Sequence, residues 1–268
     1  MQSEALLLDA AVLTYLAASG VAIASAIGGK ERHGAVFSLL LVALALHTGA
    51  IALRWQRLDH GPYVDLFEIL SSNVWSLHLI LLLATLSFRS LRGGLVMALP
   101  VLSILVLWMM ATTVKDTAPP VTYETIWLPV HMVLGKVFLG LVVVAVGLCL
   151  VVVARRTLGW RFTNAPACAD AEALAHRVML VAVVFQTLML VAGAAWARDA
   201  WGRYWAWDPL ESWAFLTWVA MLAYLHWRPK HQAATTVNAV LVIGIYVIAF
   251  ATFFGVPFIS LAPHKGAI

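Results

Sequence analysis

The feature that most constrains this chain is a series of long apolar runs divided by short polar connections. In residues 129–154, for example, only His131 and Lys136 interrupt the apolar sequence. Such runs are much longer than a strand and do not alternate, so their pattern is helical. A membrane span needs about 20 apolar residues. By that rule the sequence predicts helices over 5–27, 35–54, 66–88, 94–114, 129–154, 174–196, 211–227 and 237–259. Charged residues make up only 11% of the chain, against roughly 25% in a soluble domain, so a water-facing surface is out of reach. Lipid is the solvent that tolerates this, provided backbone polar groups are satisfied within helices or closed barrels. The expected fold is an all-α integral membrane protein, a bundle of about eight transmembrane helices. Nothing in the sequence marks a linker, so 1–268 is read as one membrane domain. Pro100 and Pro257 fall within predicted spans and are expected to kink or loosen them.

The formal net charge of +4 does not point to nucleic acid, because the basic residues sit in short clusters between spans, as topology signals do. One set of connections holds Lys30, Arg32, Arg89, Arg92, Arg155, Arg156, Arg161, Arg228 and Lys230, with Arg177 at a helix start. The other holds Arg54, Arg57, Lys115, Arg198, Arg203 and Lys265, with Lys136 just inside a helix. A bias of ten against seven places the first set in the cytoplasm. Both termini and the stretch 197–213 then lie on the outer, periplasmic side. The amino-terminal helix lacks a basic leader and a small-residue cleavage site, so it is expected to be retained. Cys149 and Cys168 form no CxxC pair, which argues against disulfide exchange and structural zinc.

Chemistry in such a chain falls to its ionisable residues, which are costly in a membrane and usually paired or functional. The chain has nine histidines. His131 lies at the outer end of the fifth predicted helix, and His264 lies just beyond the eighth. Two outer histidines suit the two axial positions of a planar ligand such as haem, and the same placement also suits ordinary interfacial residues. His226 lies near the inner end of helix seven, roughly 22 Å below Glu211. His78 falls at a similar depth, and His47 lies nearer the outer face. These three are candidates for an intramembrane bis-histidine site or for hydrogen bonding between helices. His33, His60, His176 and His231 are expected to be solvated or interfacial.

The outer side also carries Trp201-Gly202-Arg203-Tyr204-Trp205-Ala206-Trp207-Asp208-Pro209-Leu210-Glu211-Ser212-Trp213. That density exceeds what an aromatic belt needs. Asp208 followed by Pro209 and Glu211 predicts a capped helix start. Trp201, Trp205 and Trp207 are candidates to stack on a porphyrin face, with Arg203 pairing a propionate.

These residues resemble the tryptophan-rich "WWD" signature of haem-handling proteins, and within that group the CcsA (ResC) cytochrome c biogenesis family. WGRYWAWDPLESWAFLTW carries the signature. WLPVHMVLGKVF around His131, AGAAWARDAWG, AYLHWR around His226, FFGVPF and the segment from His47 extend the similarity over most of the chain. The chain has Leu210 and Ser212 where the signature carries Lys and Thr, and His264-Lys265-Gly266 where the tail commonly reads His-Ser-Tyr.

The resemblance implies a system II component that transports haem and presents it outside the membrane for attachment to apocytochrome c CxxCH motifs. It implies non-covalent haem b, one or two per chain, with His131 and His264 as outer ligands and His226 at an inner site completed by a CcsB-type partner. It adds a thiol-reducing thioredoxin-like protein to the partners and places the chain in the bacterial inner membrane rather than a thylakoid. Lyase activity would require the CcsB-type partner. Two alternatives remain open at this point: a haem-containing electron-transfer or quinol-oxidising subunit, and a haem chaperone without lyase activity.

Overall fold

A computed structural model describes residues 2–30, 32–162 and 165–256. The described residues form eight α-helices in order: α1 (Gln2–Gly28), α2 (His33–Leu58), α3 (Leu66–Ser87), α4 (Leu95–Ala111), α5 (Trp127–Thr157), α6 (Cys168–Trp201), α7 (Pro209–Trp227) and α8 (Thr235–Phe250). Short 3₁₀ segments precede α4 (Arg89–Gly94) and α5 (Val121–Tyr123), and a π-helical turn, Ala251–Gly255, continues α8.

Seven helical segments are long and apolar enough to cross a membrane, and α7 is not among them. Its 19 residues span about 28 Å, so composition rather than length sets it apart: it carries Glu211, Tyr224, His226 and several tryptophans. It packs along α6 and α8 within the bundle. The helix at α6 starts earlier than its apolar run, because the segment from Cys168 is alanine-rich and helix-favouring without being strongly hydrophobic. Helix α4 continues through Pro100, while Pro257 lies outside the described residues.

Helix α5 is the axis of the bundle. It is buried continuously from Phe138 to Cys149 except at Leu141, and it touches α3 and α4 on one side and α6 and α8 on the other. Helix α1 completes the first side by packing on α2 and α4. The 31 residues of α5 and 34 of α6 run to roughly 46–51 Å, well beyond the ~30 Å hydrocarbon core. Their ends therefore project past the lipid and can carry a site there.

A buried ion network locks the ends of α1, α2 and α3 that share this face. Arg54, 4% exposed, donates through Nε to Glu68 (2.8 Å) and through Nη2 to Asp65 (3.1 Å). It also reaches the carbonyl of Lys115 at 2.5 Å, so the strand-like stretch after α4 is tied to the bundle. Arg57 adds Glu4 (3.2 Å) and Asp116 (2.6 Å), and its guanidinium holds the Asp116 carboxyl below its ordinary pKa. His60 belongs to this cluster: it is 9% exposed and lies 3.8 Å from Glu68. The sequence placed it at a solvated or interfacial level, but the turn after α2 folds over the start of α3 and covers it.

Candidate functional site

His131 sits in the second turn of α5, where its Nδ1 donates to the carbonyl of Met189 in α6 at 2.9 Å. A carbonyl only accepts, so Nδ1 carries the proton, and in the neutral imidazole Nε2 is then the nitrogen that bears the lone pair. Metal-ligating histidines are oriented in the same way, by donating the other ring N–H to a carbonyl or carboxylate. Close approach to α6 requires Gly193, because a Cβ there would lie 2.8 Å from His131 Nδ1. The Trp196 ring stacks on the imidazole, with centroids 6.1 Å apart and planes 28° apart. Trp196 is itself pinned by Nε1 donating to the Thr122 carbonyl at 3.0 Å and by contact with Trp201 at 5.0 Å.

His131 lines an open cavity with about 690 Å³ of empty space, its mouth and adjoining solvent included. Helix α6 contributes Gly193 and Trp196, the aromatic loop contributes Tyr204 and Trp205, α7 contributes Leu210 and Glu211, and the π-helical turn contributes Thr252 and Phe253. The walls are largely apolar. The Trp205 indole N–H is buried and has no hydrogen-bond partner, an arrangement that costs free energy unless an acceptor meets it.

The loop that carries Trp205 is tightly specified. Gly202 ends α6 in the left-handed region, φ 76°. Asp208 caps α7 by accepting from Glu211 N at 2.9 Å, and Glu211 Oε2 accepts from Ala206 N at 2.7 Å and Asp208 N at 3.4 Å. This is the capping box anticipated from Asp208-Pro209-Leu210-Glu211. Trp207, between these anchors, has φ 58°, a strained conformation for a bulky side chain that persists only where surroundings enforce it. Trp205 and Trp207 meet edge to face at 5.6 Å.

The structure thus brings together His131, Trp205 and Glu211 at the cavity, with Trp201 packed on Trp196 and Asp208 capping α7. Trp207 and Arg203 are on the same loop but face outward, Trp207 at 67% exposure. His264 lies outside the described residues. His226 is exposed near the far end of α7 and takes no part in this cavity. His47 and His78 are buried around Tyr15 on the α1–α3 side, away from His226. His47 bridges the Tyr15 hydroxyl (3.4 Å) and the Ser71 hydroxyl (2.9 Å). His78 donates to the Val74 carbonyl at 2.7 Å and packs on the Tyr15 ring at 4.0 Å. His176 lies half-buried against Tyr224, with ring centroids 5.8 Å apart.

Gly193, Trp196, Met189, Thr252 and Phe253 were not singled out as site residues in the sequence. The small-residue string Ala192-Gly193-Ala194-Ala195 before Trp196 is the signal for close helix approach. The Met189 contribution is a backbone carbonyl and leaves no mark in sequence.

Haem fits the donor set in three respects. An imidazole is held by an Nδ1–H bond to a carbonyl, aromatic and apolar walls flank it, and a buried indole N–H lacks an acceptor.

The family described as "Cytochrome C assembly protein" matches residues 38–262. The cytochrome c biogenesis protein CcsA of Cuscuta exaltata is 38% identical over 90 residues, which are 34% of this chain and 29% of that protein. The matched stretch is therefore less than a third of that relative's length. CcsA of Synechococcus sp. (strain CC9605) is 28% identical over 277 residues, covering 90% of this chain and 89% of the relative. Among solved structures, Cytochrome c Heme Lyase CcmF superposes with a TM-score of 0.72 at 22% identity, over 94% of this chain and 46% of that one. That likeness establishes a shared fold.

Proposed function

The chain belongs to the Cytochrome C assembly protein family, and from that premise we propose that it binds haem and presents it outside the membrane for attachment to apocytochrome c. The observation that carries this reading is the His131–Met189 hydrogen bond, which orients the imidazole at a cavity also lined by Trp196 and Trp205. His131 would hold the iron, with His264 as the second outer ligand. Trp205 would donate its buried N–H to an acceptor on the bound group, and Trp201, Trp207, Asp208 and Glu211 would hold the platform, with Arg203 at its rim. Bound haem would supply the vinyl groups to which the thiols of a CxxCH motif add. The protein would contribute ligation, orientation and exclusion of water from the apolar wall.

His226 is exposed on α7, which suits an inner site completed by a histidine of a CcsB-type partner. His47 and His78 are fully enclosed and packed on the Tyr15 ring, so we assign them to packing of α1–α3 rather than to ligation. The cofactor is non-covalent haem b, one or two per chain. We place the chain in the bacterial inner membrane as one domain, with both termini and the aromatic loop outside. A thiol-reducing thioredoxin-like protein would keep the acceptor cysteines reduced.

The test is co-expression with a CcsB-type partner and an apocytochrome carrying CxxCH, in a strain that lacks its own maturation system. Covalent haem on the cytochrome, lost with His131→Ala, is the expected result. Covalent haem at an unchanged level in that variant would contradict the proposal.

A further inference from the structure

A second cleft lies at the opposite end of the bundle, where α1 gives way to α2 and α3 to α4. It is shallow: beneath its mouth there is room for little more than one water-sized group. Ala22 and Val96 form part of an apolar floor, Phe162 a wall, and Arg92 and His33 bring the polar groups. Its walls are built. Ser25 donates to the Lys30 carbonyl at 2.6 Å and accepts from Arg32 N at 3.1 Å, fixing the α1–α2 turn. Arg155 donates to the carbonyls of Phe162, Ala165 and Pro166, holding the loop that closes the cleft. Arg92 donates through Nε to the Thr85 carbonyl at 3.0 Å and lies over the Phe37 ring at 5.1 Å. Among the described residues no carboxylate pairs with it.

The charge around this cleft is one-sided. Its turns carry Lys30, Arg32, Arg89, Arg92, Arg155, Arg156 and Arg161 against the single acid Glu31. An apolar floor at the end of the spans, with a guanidinium above it, matches an amphiphile with an anionic head. Basic pockets between spans bind the head groups of anionic lipids. We propose that the basic rim of this cleft holds one anionic phospholipid by its head group, the phosphate on Arg92 and the acyl chains in the surrounding lipid.

The test uses the full-length protein in detergent. Phosphatidylglycerol, phosphatidylcholine and inorganic phosphate are titrated separately, with the thermal unfolding midpoint and native mass spectrometry as readouts. Phosphatidylglycerol is expected to raise the midpoint and remain bound at one per chain. Arg92→Gln is expected to weaken that binding roughly fivefold. If Arg92→Gln fails to fold, Ala165→Trp fills the cleft without removing a charge and is expected to abolish the effect. An equal response to phosphatidylcholine would overturn the proposal, as would an equal response to inorganic phosphate. Phosphatidylglycerol binding unchanged in either variant would also overturn it.

Discussion

The imidazole of His131 and the backbone carbonyl of Met189 are joined by a 2.9 Å hydrogen bond between α5 and α6. The bond commits Nδ1 as the donor. It also fixes the ring against a helix that carries Trp196 and leads directly into the aromatic loop. Ligand and platform are therefore positioned by the same helix.

Gly193 makes that contact possible. Gly193→Ala would place a Cβ 2.8 Å from His131 Nδ1, so the ring must turn or the helices separate. Overpacking of this kind costs about 1–3 kcal/mol. The expected outcome is a folded protein with haem content reduced several-fold, read by pyridine haemochrome assay on purified material. Normal haem content would mean that the His131 orientation is immaterial.

Trp196→Phe keeps a ring against His131 and removes the indole donor to the Thr122 carbonyl. The loss should be about 0.5–1.5 kcal/mol, the worth of one typical hydrogen bond. Trp196→Ala should cost more, about 3–5 kcal/mol, by leaving a cavity. Thermal unfolding in detergent distinguishes the two, and a Trp196→Phe midpoint equal to that of the parent protein would show that the indole donor does not pin the segment before α5.

The capping box at α7 holds the loop as well as the helix. Glu211→Ala removes the acceptor for Ala206 N and Asp208 N and should release Arg203–Asp208 to limited proteolysis. Asp208→Ala should cost about 0.5–2 kcal/mol. Cleavage no faster than in the parent protein would show that the loop is held by its aromatic contacts alone.

Arg54 is the buried cation between Glu68 and Asp65. Arg54→Met leaves both carboxylates without their buried counter-ion, at a cost of about 3–5 kcal/mol. Adding Glu68→Gln should recover part of it. The comparison of unfolding midpoints for the single and double variants checks this, and no recovery would place the effect in packing on Phe67 instead.

The helices were legible because lipid imposes a length: apolar runs of about 20 residues mark spans to within a few positions. The start of α6 was less legible, since Cys168 to Leu174 is helical without being strongly hydrophobic. The turn into α7 was legible because Asp208, Pro209 and Glu211 each have one dominant role at a helix start. Depth along a helix could also be read, but not direction around it. His78 and His226 matched in depth, yet His78 turns toward Tyr15 in α1 while His226 faces outward from α7. The partner of His131 was hidden for a different reason, because a main-chain carbonyl has no identity in sequence.

The central claim is that His131 ligates haem through Nε2, and the most direct measurement is the absorption spectrum of purified protein with and without this side chain. The parent protein should carry b-type haem with the spectrum of a bis-histidine, low-spin iron. His131→Gly should lose that spectrum and recover it when free imidazole is added. Full haem loading with an unchanged spectrum in His131→Gly, before any imidazole, would contradict the account.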